Sequence, residues 1–125
     1  MNIDIEKLDA LTQELKTTLK EGLLSTDIFD RTTGLSLASF NPQPTAAALF
    51  TEVTNVITST LADSGLPNLK RYYLLDLDND HSVMVIRHGS DLLQGILMNS
   101  QKVNIGILLS VALPKMLAGI EKART

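Results

Sequence analysis

A chain of 125 residues, 44% hydrophobic, with three Phe, two Tyr and no Trp, is long enough for one domain with an aliphatic core and too apolar to be disordered. Its formal net charge of −3 gives no cationic footprint for nucleic acid. With no cysteine, thiol catalysis, disulfides and Cys-ligated zinc are excluded, and the composition is compatible with a cytoplasmic protein. The N-terminal segment, which carries Asp4 and Glu6, lacks the basic and apolar regions of a signal peptide.

The first element reads as a helix over Asp4 to Glu21. Ile5, Leu8, Leu11, Leu15 and Leu19 recur at spacings of three and four, with charged residues between them. Asp4 is placed to cap its start and Gly22 to sit just past its end. Leu23 to Asp30 is a predicted strand whose apolar pattern Asp27 interrupts. Arg31 to Gly34 is a turn, and Leu35 to Phe40 a second strand.

The breaker cluster Asn41-Pro42-Gln43-Pro44 precedes a helix over Ala46 to Asp63, with Thr45 as its expected N-cap. Leu49, Val53, Val56, Ile57 and Leu61 form one stripe, expected to face the core. Thr51, Thr54, Asn55, Thr58 and Ser59 lie opposite, and Glu52 is the one charge between Thr32 and Ala62. Two readings of that polar face stand side by side: a plain solvated surface, or a helix–helix contact between subunits. Small neutral side chains cost little to desolvate and allow close approach.

After a loop from Ser64 to Asn68, three strands follow: Leu69 to Leu77, His81 to His88 and Asp91 to Met98. Asp78-Asn79-Asp80 and Gly89-Ser90 are the turns between them. Apolar residues occupy both parities, so both faces of the sheet are expected to be covered. The chain closes with a helix over roughly Lys102 to Lys122, where Pro114 should introduce a kink. Within it, Val103 to Ile120 is short of the ~20 apolar residues of a membrane span and contains Pro114 and Lys115, so it reads as a helix buried in protein. Its nearly all-round apolar character implies a covered second face, and hence a partner. The order αββαβββα predicts an α+β fold: one domain over residues 1–125, with a single five-stranded antiparallel sheet and helices on both faces.

No site chemistry emerges from the motifs. His81 and His88 are seven apart on one strand, hence on opposite faces, and read as strand-end histidines near solvent. Asp76, Asp78 and Asp80 resemble the start of a calcium loop, but His81 and Arg87 stand where that loop needs Gly and Glu. There is no phosphate loop, dinucleotide fingerprint or nucleophile elbow. No metal, cofactor or catalytic residue is expected.

Asp30-Arg31 followed by Gly34-Leu35-Ser36-Leu37-Ala38-Ser39, and Asn104-Ile105-Gly106 before the last helix, resemble the hairpin and the N-[apolar]-G step of the roadblock / dynein light-chain family. The resemblance extends from the first helix to about Ile120. A longer turn after Asp30, Asp27 in a strand and Pro114 in the last helix depart from the family pattern. The resemblance implies a non-catalytic adaptor that pairs through the second helix and the adjacent edge strand. The interface residues would be Thr51, Thr54, Asn55, Thr58, Arg71, Tyr73 and Leu75. The copies would form a homodimer, or a heterodimer with a paralogue, and the implied partner is a Ras-like small GTPase. Neither nucleic acid nor membrane insertion is expected. The alternative reading is a small-molecule sensor of the profilin, PAS or GAF kind, with an apolar pocket between sheet and helices.

Overall fold

The computed structural model describes residues 2–125. Helix α1 spans Ile5–Leu19, and the Asp4 carboxylate accepts from the Lys7 N–H at its start. Strands β1 (Leu23–Asp30) and β2 (Ser36–Phe40) form the first hairpin, and helix α2 (Ala46–Asp63) follows. Strands β3 (Tyr72–Leu77), β4 (His81–His88) and β5 (Leu92–Asn99) are a meander. The closing helix is composite: α3 (Ile105–Ile107), a π-helical segment Leu108–Ala112, and α4 (Leu113–Ala123). The sheet order is β2-β1-β5-β4-β3, all neighbours antiparallel. The expected α+β architecture is the one observed.

Several boundaries differ for physical reasons. The left-handed turn after α1 falls on Lys20 (φ 54°) rather than on Gly22. Gly22 is required instead because a Cβ there would overlap the Val103 side chain. Thr45 holds the N-cap position of α2 without a side-chain hydrogen bond. Leu35 is 63% exposed and outside β2, and Leu69 to Arg71 precede β3. Pro114 does not simply kink the last helix. Its missing N–H is accommodated by the π segment just upstream, where Leu113 N–H bonds to Leu108 C=O.

The two sheet faces are covered unequally. Even-numbered strand residues, among them Ile28, Met84, Ile86, Ile96 and Met98, pack with Leu8, Leu15, Met116 and Ile120 of α1 and α4. Full burial of each such side chain stabilises by about 1.5–3 kcal/mol. The odd-numbered face carries a small cluster, Phe29, Val83, Val85 and Leu93, beneath the single helix α2. The closing helix is buried on one side only: Ile105, Ile107, Leu109 and Val111 remain 36–58% exposed. The second face that its all-round apolar character led one to expect covered by a partner is open in the single chain. No helix of the described residues is long and apolar enough to cross a membrane.

His88 corrects a second expectation. It is 3% exposed, in the core rather than near solvent. Its Nε2–H donates to Gln94 Oε1 at 2.9 Å, and Gln94 Nε2 donates to Thr26 Oγ1. Thr26 Oγ1 in turn donates to the Gly95 carbonyl. His81, by contrast, is half-buried and lies 2.7 Å from the Asn79 carbonyl. Arg124 clasps the same end of the sheet, forking onto Asp91 and donating to the His88 carbonyl.

Burial lowers the His88 pKa from 6.5 to about 4; its bond to Gln94 works the other way, and Arg124 adds to the lowering. The unfolded chain takes up the proton near 6.5 while the folded chain refuses it until about 4, so stability falls as pH drops through this window, by up to about 3 kcal/mol. Buried Asp27, its pKa raised chiefly by desolvation, contributes with the opposite sign, because its folded form loses stability as pH rises. Urea unfolding of the wild type and of His88→Gln across pH 4–7 separates the two. The difference in slope isolates His88, and parallel curves would refute its assignment.

Candidate protein–protein interface

Helix α2 rests on the sheet at three points. The Phe50 ring lies over Gly95, where any Cβ would overlap it. Thr54 Oγ1 bonds to the Phe50 carbonyl at 2.7 Å and to the Tyr73 hydroxyl at 2.9 Å. Arg31 Nη2 donates to Asn55 Oδ1 at 2.6 Å, joining the helix to the end of β1. Burial holds the Tyr73 phenol above its usual pKa, against the bond to Thr54 and the charge of Arg31, so the hydroxyl stays protonated.

These contacts orient the helix and revise the expected faces. Thr54 is 0% exposed, the one fully buried residue of α2. It points at the sheet and does not belong to an outward polar face. Thr51 and Thr58 flank it and are half-buried, their hydroxyls bonded to the Ala47 and Asn55 carbonyls. Conversely, Leu49 and Val56, expected in the core, are 54% and 59% exposed. At about 100° per residue, Leu49, Val53, Ile57 and Thr60 form one flank, with Val56 at the crest. Asn55 and Ser59 lie on the other flank, toward Arg31. The signal missed in the sequence is Phe50, the bulky anchor. A glycine in the central strand gives it a seat.

The seven candidate residues thus divide. Thr54 and Tyr73 meet inside the chain. Thr51 and Thr58 line the same sheet-facing sector, and Asn55 is exposed beside Arg31. Arg71 is exposed before β3, its carbonyl accepting from Arg87 N–H at 2.7 Å. Leu75 is half-buried and packs with the odd-face cluster. Between the Arg31–Gly34 turn and the polar flank of α2 runs an open groove of about 810 Å³, lined by Thr51, Asn55 and Ser59 among others.

The two sheet edges are unequal. β2 is five residues long, and its pairing with β1 is broken by an irregularity between Ile28 and Phe29. β3 pairs with β4 in unbroken register, and its other side has no strand neighbour among the described residues. Short and bulged edges resist further pairing; regular ones invite it. Among the described residues no group of three or more His, Asp or Glu is placed to hold a metal ion.

The sequence matches no family profile and no curated protein. Its fold does match solved structures. Myxococcus xanthus MglB aligns over 97% of this chain and 92% of its own, with a TM-score of 0.76 and 12% identity. The gliding protein MglB from Thermus thermophilus aligns over 94% and 91%, with a TM-score of 0.71 and 18% identity. A roadblock/LC7 domain from Streptomyces avermitilis aligns over 91% and 94%, with a TM-score of 0.66 and 15% identity. The chain has the roadblock/LC7 fold.

The reassigned faces of α2 make opposite demands on substitution. Thr54→Glu buries a carboxylate without a cation and is expected to lower stability by at least about 2 kcal/mol. Leu49→Glu, on an exposed position in the first turns of the helix, is expected to stay within about 0.5 kcal/mol. Chemical denaturation of the two variants checks this, and a tolerated Thr54→Glu would mean that α2 sits differently.

Proposed function

We propose that this roadblock/LC7 fold serves as a non-catalytic dimeric adaptor that regulates a Ras-like small GTPase. The observation that carries the dimer is the apolar flank of α2, with Leu49 54% exposed, on a helix beside an unpaired, regular β3. A second copy related by a twofold axis removes the bare edge and covers the flank in one step. Leu75, the ring of Tyr73 and Arg71 lie along that seam. Thr54 and Thr58 support the seam from inside the chain.

The GTPase reading rests on the resemblance of the hairpin and N-[apolar]-G motifs to a family whose bacterial and archaeal members accompany such enzymes. The groove beside Arg31, with Asn55 and Ser59 exposed, lies on the flank of α2 away from the seam and stays open in the dimer. It supplies the surface such a partner needs. A sensor pocket between sheet and helix is disfavoured because Phe50 fills that space over Gly95.

Light scattering at micromolar concentration is expected to give twice the chain mass, and Leu49→Glu to reduce it to one chain. Titration with a co-encoded Ras-like GTPase, loaded with a GTP analogue or with GDP, is expected to show binding that depends on the nucleotide, because the switch loops order around the γ-phosphate. Equal binding in both states would leave a scaffold. A wild-type protein of one-chain mass would remove the dimer.

A further inference from the structure

The layer opposite α2 leaves a furrow of its own, between α1 and the closing helix. The two helices run antiparallel: Lys7 Nζ donates to the Lys122 carbonyl at 3.4 Å, and Lys115 meets Glu14 at 3.4 Å. One end of the furrow, of about 360 Å³, has a floor of Ala10, Leu11, Ala118 and Gly119. The other end, of about 550 Å³, is lined by Thr18, Gly22, Val103 and Ile107 among others. Ile107, Val111 and Lys115 follow one another at spacings of four, hence along one flank of the helix. Ile107 lines one end and Lys115 the other, so Val111 stands between them. Ile107 and Val111 are 43% and 36% exposed.

The charge of this furrow is opposite to that of the chain. The formal net charge is −3, yet Lys20 and Lys102 stand at one end and Lys7, Lys115 and Lys122 at the other. Its only carboxylates are Glu21 and Glu14. They pair with Lys102 at 3.7 Å and Lys115 at 3.4 Å, exposed bridges that contribute little and rearrange readily. Lys7, Lys20 and Lys122 have no carboxylate within salt-bridge distance among the described residues. Between the two basic ends, the run from Val103 to Pro114 carries no charge at all.

We infer that this furrow is a docking site for an amphipathic helix with acidic ends, carried by a partner protein. From Ile107 to Lys122 the closing helix covers about 22 Å, so the occupant is a helix of about four turns. Its apolar residues, three and four apart, cover Ile107 and Val111 and rest on the small side chains of Ala10 and Ala118. Its carboxylates meet Lys20 and Lys102 at one end, Lys7 and Lys122 at the other. An anionic bilayer fits this surface less well. The furrow is concave, and a uniformly negative sheet cannot avoid Glu14 and Glu21, whereas a helix places its acids clear of both. The site lies on the layer away from α2, so it goes beyond the dimer and GTPase readings and stands without them.

The probe is a displayed library of amphipathic helical peptides of about four turns, varied in charge and selected on the wild-type chain. The recovered peptides are expected to carry Asp or Glu at both ends around an apolar centre. A synthetic copy is expected to bind Val111→Glu, and separately Lys20→Glu/Lys122→Glu, at least about tenfold more weakly than the wild type. Unfolding curves of both variants are expected to match the wild type, and the lysine pair carries the test if Val111→Glu folds poorly. No enrichment, peptides with neutral or basic ends, or binding that neither variant weakens would overturn the inference. Sedimentation with phosphatidylserine vesicles is expected to leave the chain in the supernatant. A chain carried down by the vesicles and released by Lys20→Glu/Lys122→Glu would assign the surface to lipid instead.

Discussion

The arrangement of this molecule depends on one contact, the Phe50 ring seated on Gly95. β5 is the central strand of the sheet, and a glycine there leaves a bare patch of backbone on the odd-numbered face. Phe50 fills it, and in doing so fixes how close α2 comes to the sheet and which way the helix is turned. Thr54 then reaches Tyr73, Asn55 reaches Arg31, and Leu49 and Val56 are left facing outward. One helix over a five-stranded face cannot cover it all. The opposite face, with α1 and the closing helix, has a large core; the α2 face has four buried hydrophobic residues. This imbalance between layers is the physical ground for the association proposed on the α2 side.

Polar groups reinforce the same geometry from within. Thr26, Gln94 and His88 form a chain across three adjacent strands, and Gln94 also reaches the sulfur of Met116 on α4. Asp27 on the other face accepts from the Ser36 hydroxyl at 2.6 Å, tying the short edge strand β2 to its neighbour. No buried side-chain nitrogen or oxygen of the described residues lacks a partner. Such satisfied networks resist sliding of the strands, because a shifted register would leave each member unpaired at a cost of about 1–3 kcal/mol. The registers of β2, β1, β5 and β4 are therefore pinned from within the chain.

The element order, the strand spans Leu23–Asp30 and His81–His88 and the helix Ala46–Asp63 were legible in the sequence, because breakers and alternation mark them without reference to tertiary contacts. The orientation of α2 was not. A helix whose eighteen residues carry only Glu52 and the terminal Asp63 as charges has no charged face to read, so apolar spacing alone pointed Leu49 and Val56 inward and Thr54 outward. Only the pairing of a large residue with a distant glycine decides the matter, and that pairing spans 45 positions of sequence between Phe50 and Gly95. His88 was likewise illegible: a histidine at a strand end looks solvated until Gln94 and Arg124 close over it. The π segment before Pro114 arises from packing that a proline signals but does not specify.

The central claim is that the seat of Phe50 on Gly95 presents the face on which two copies meet. The most direct measurement is the dimer dissociation constant of Gly95→Ala by sedimentation, read beside its unfolding curve. The added methyl displaces the ring and tilts α2, at a cost of about 1–3 kcal/mol of stability. The account predicts a chain that still unfolds cooperatively but dimerises at least about tenfold more weakly, a loss of about 1.4 kcal/mol or more in association. A Gly95→Ala chain that loses stability yet dimerises as tightly as the wild type would contradict it.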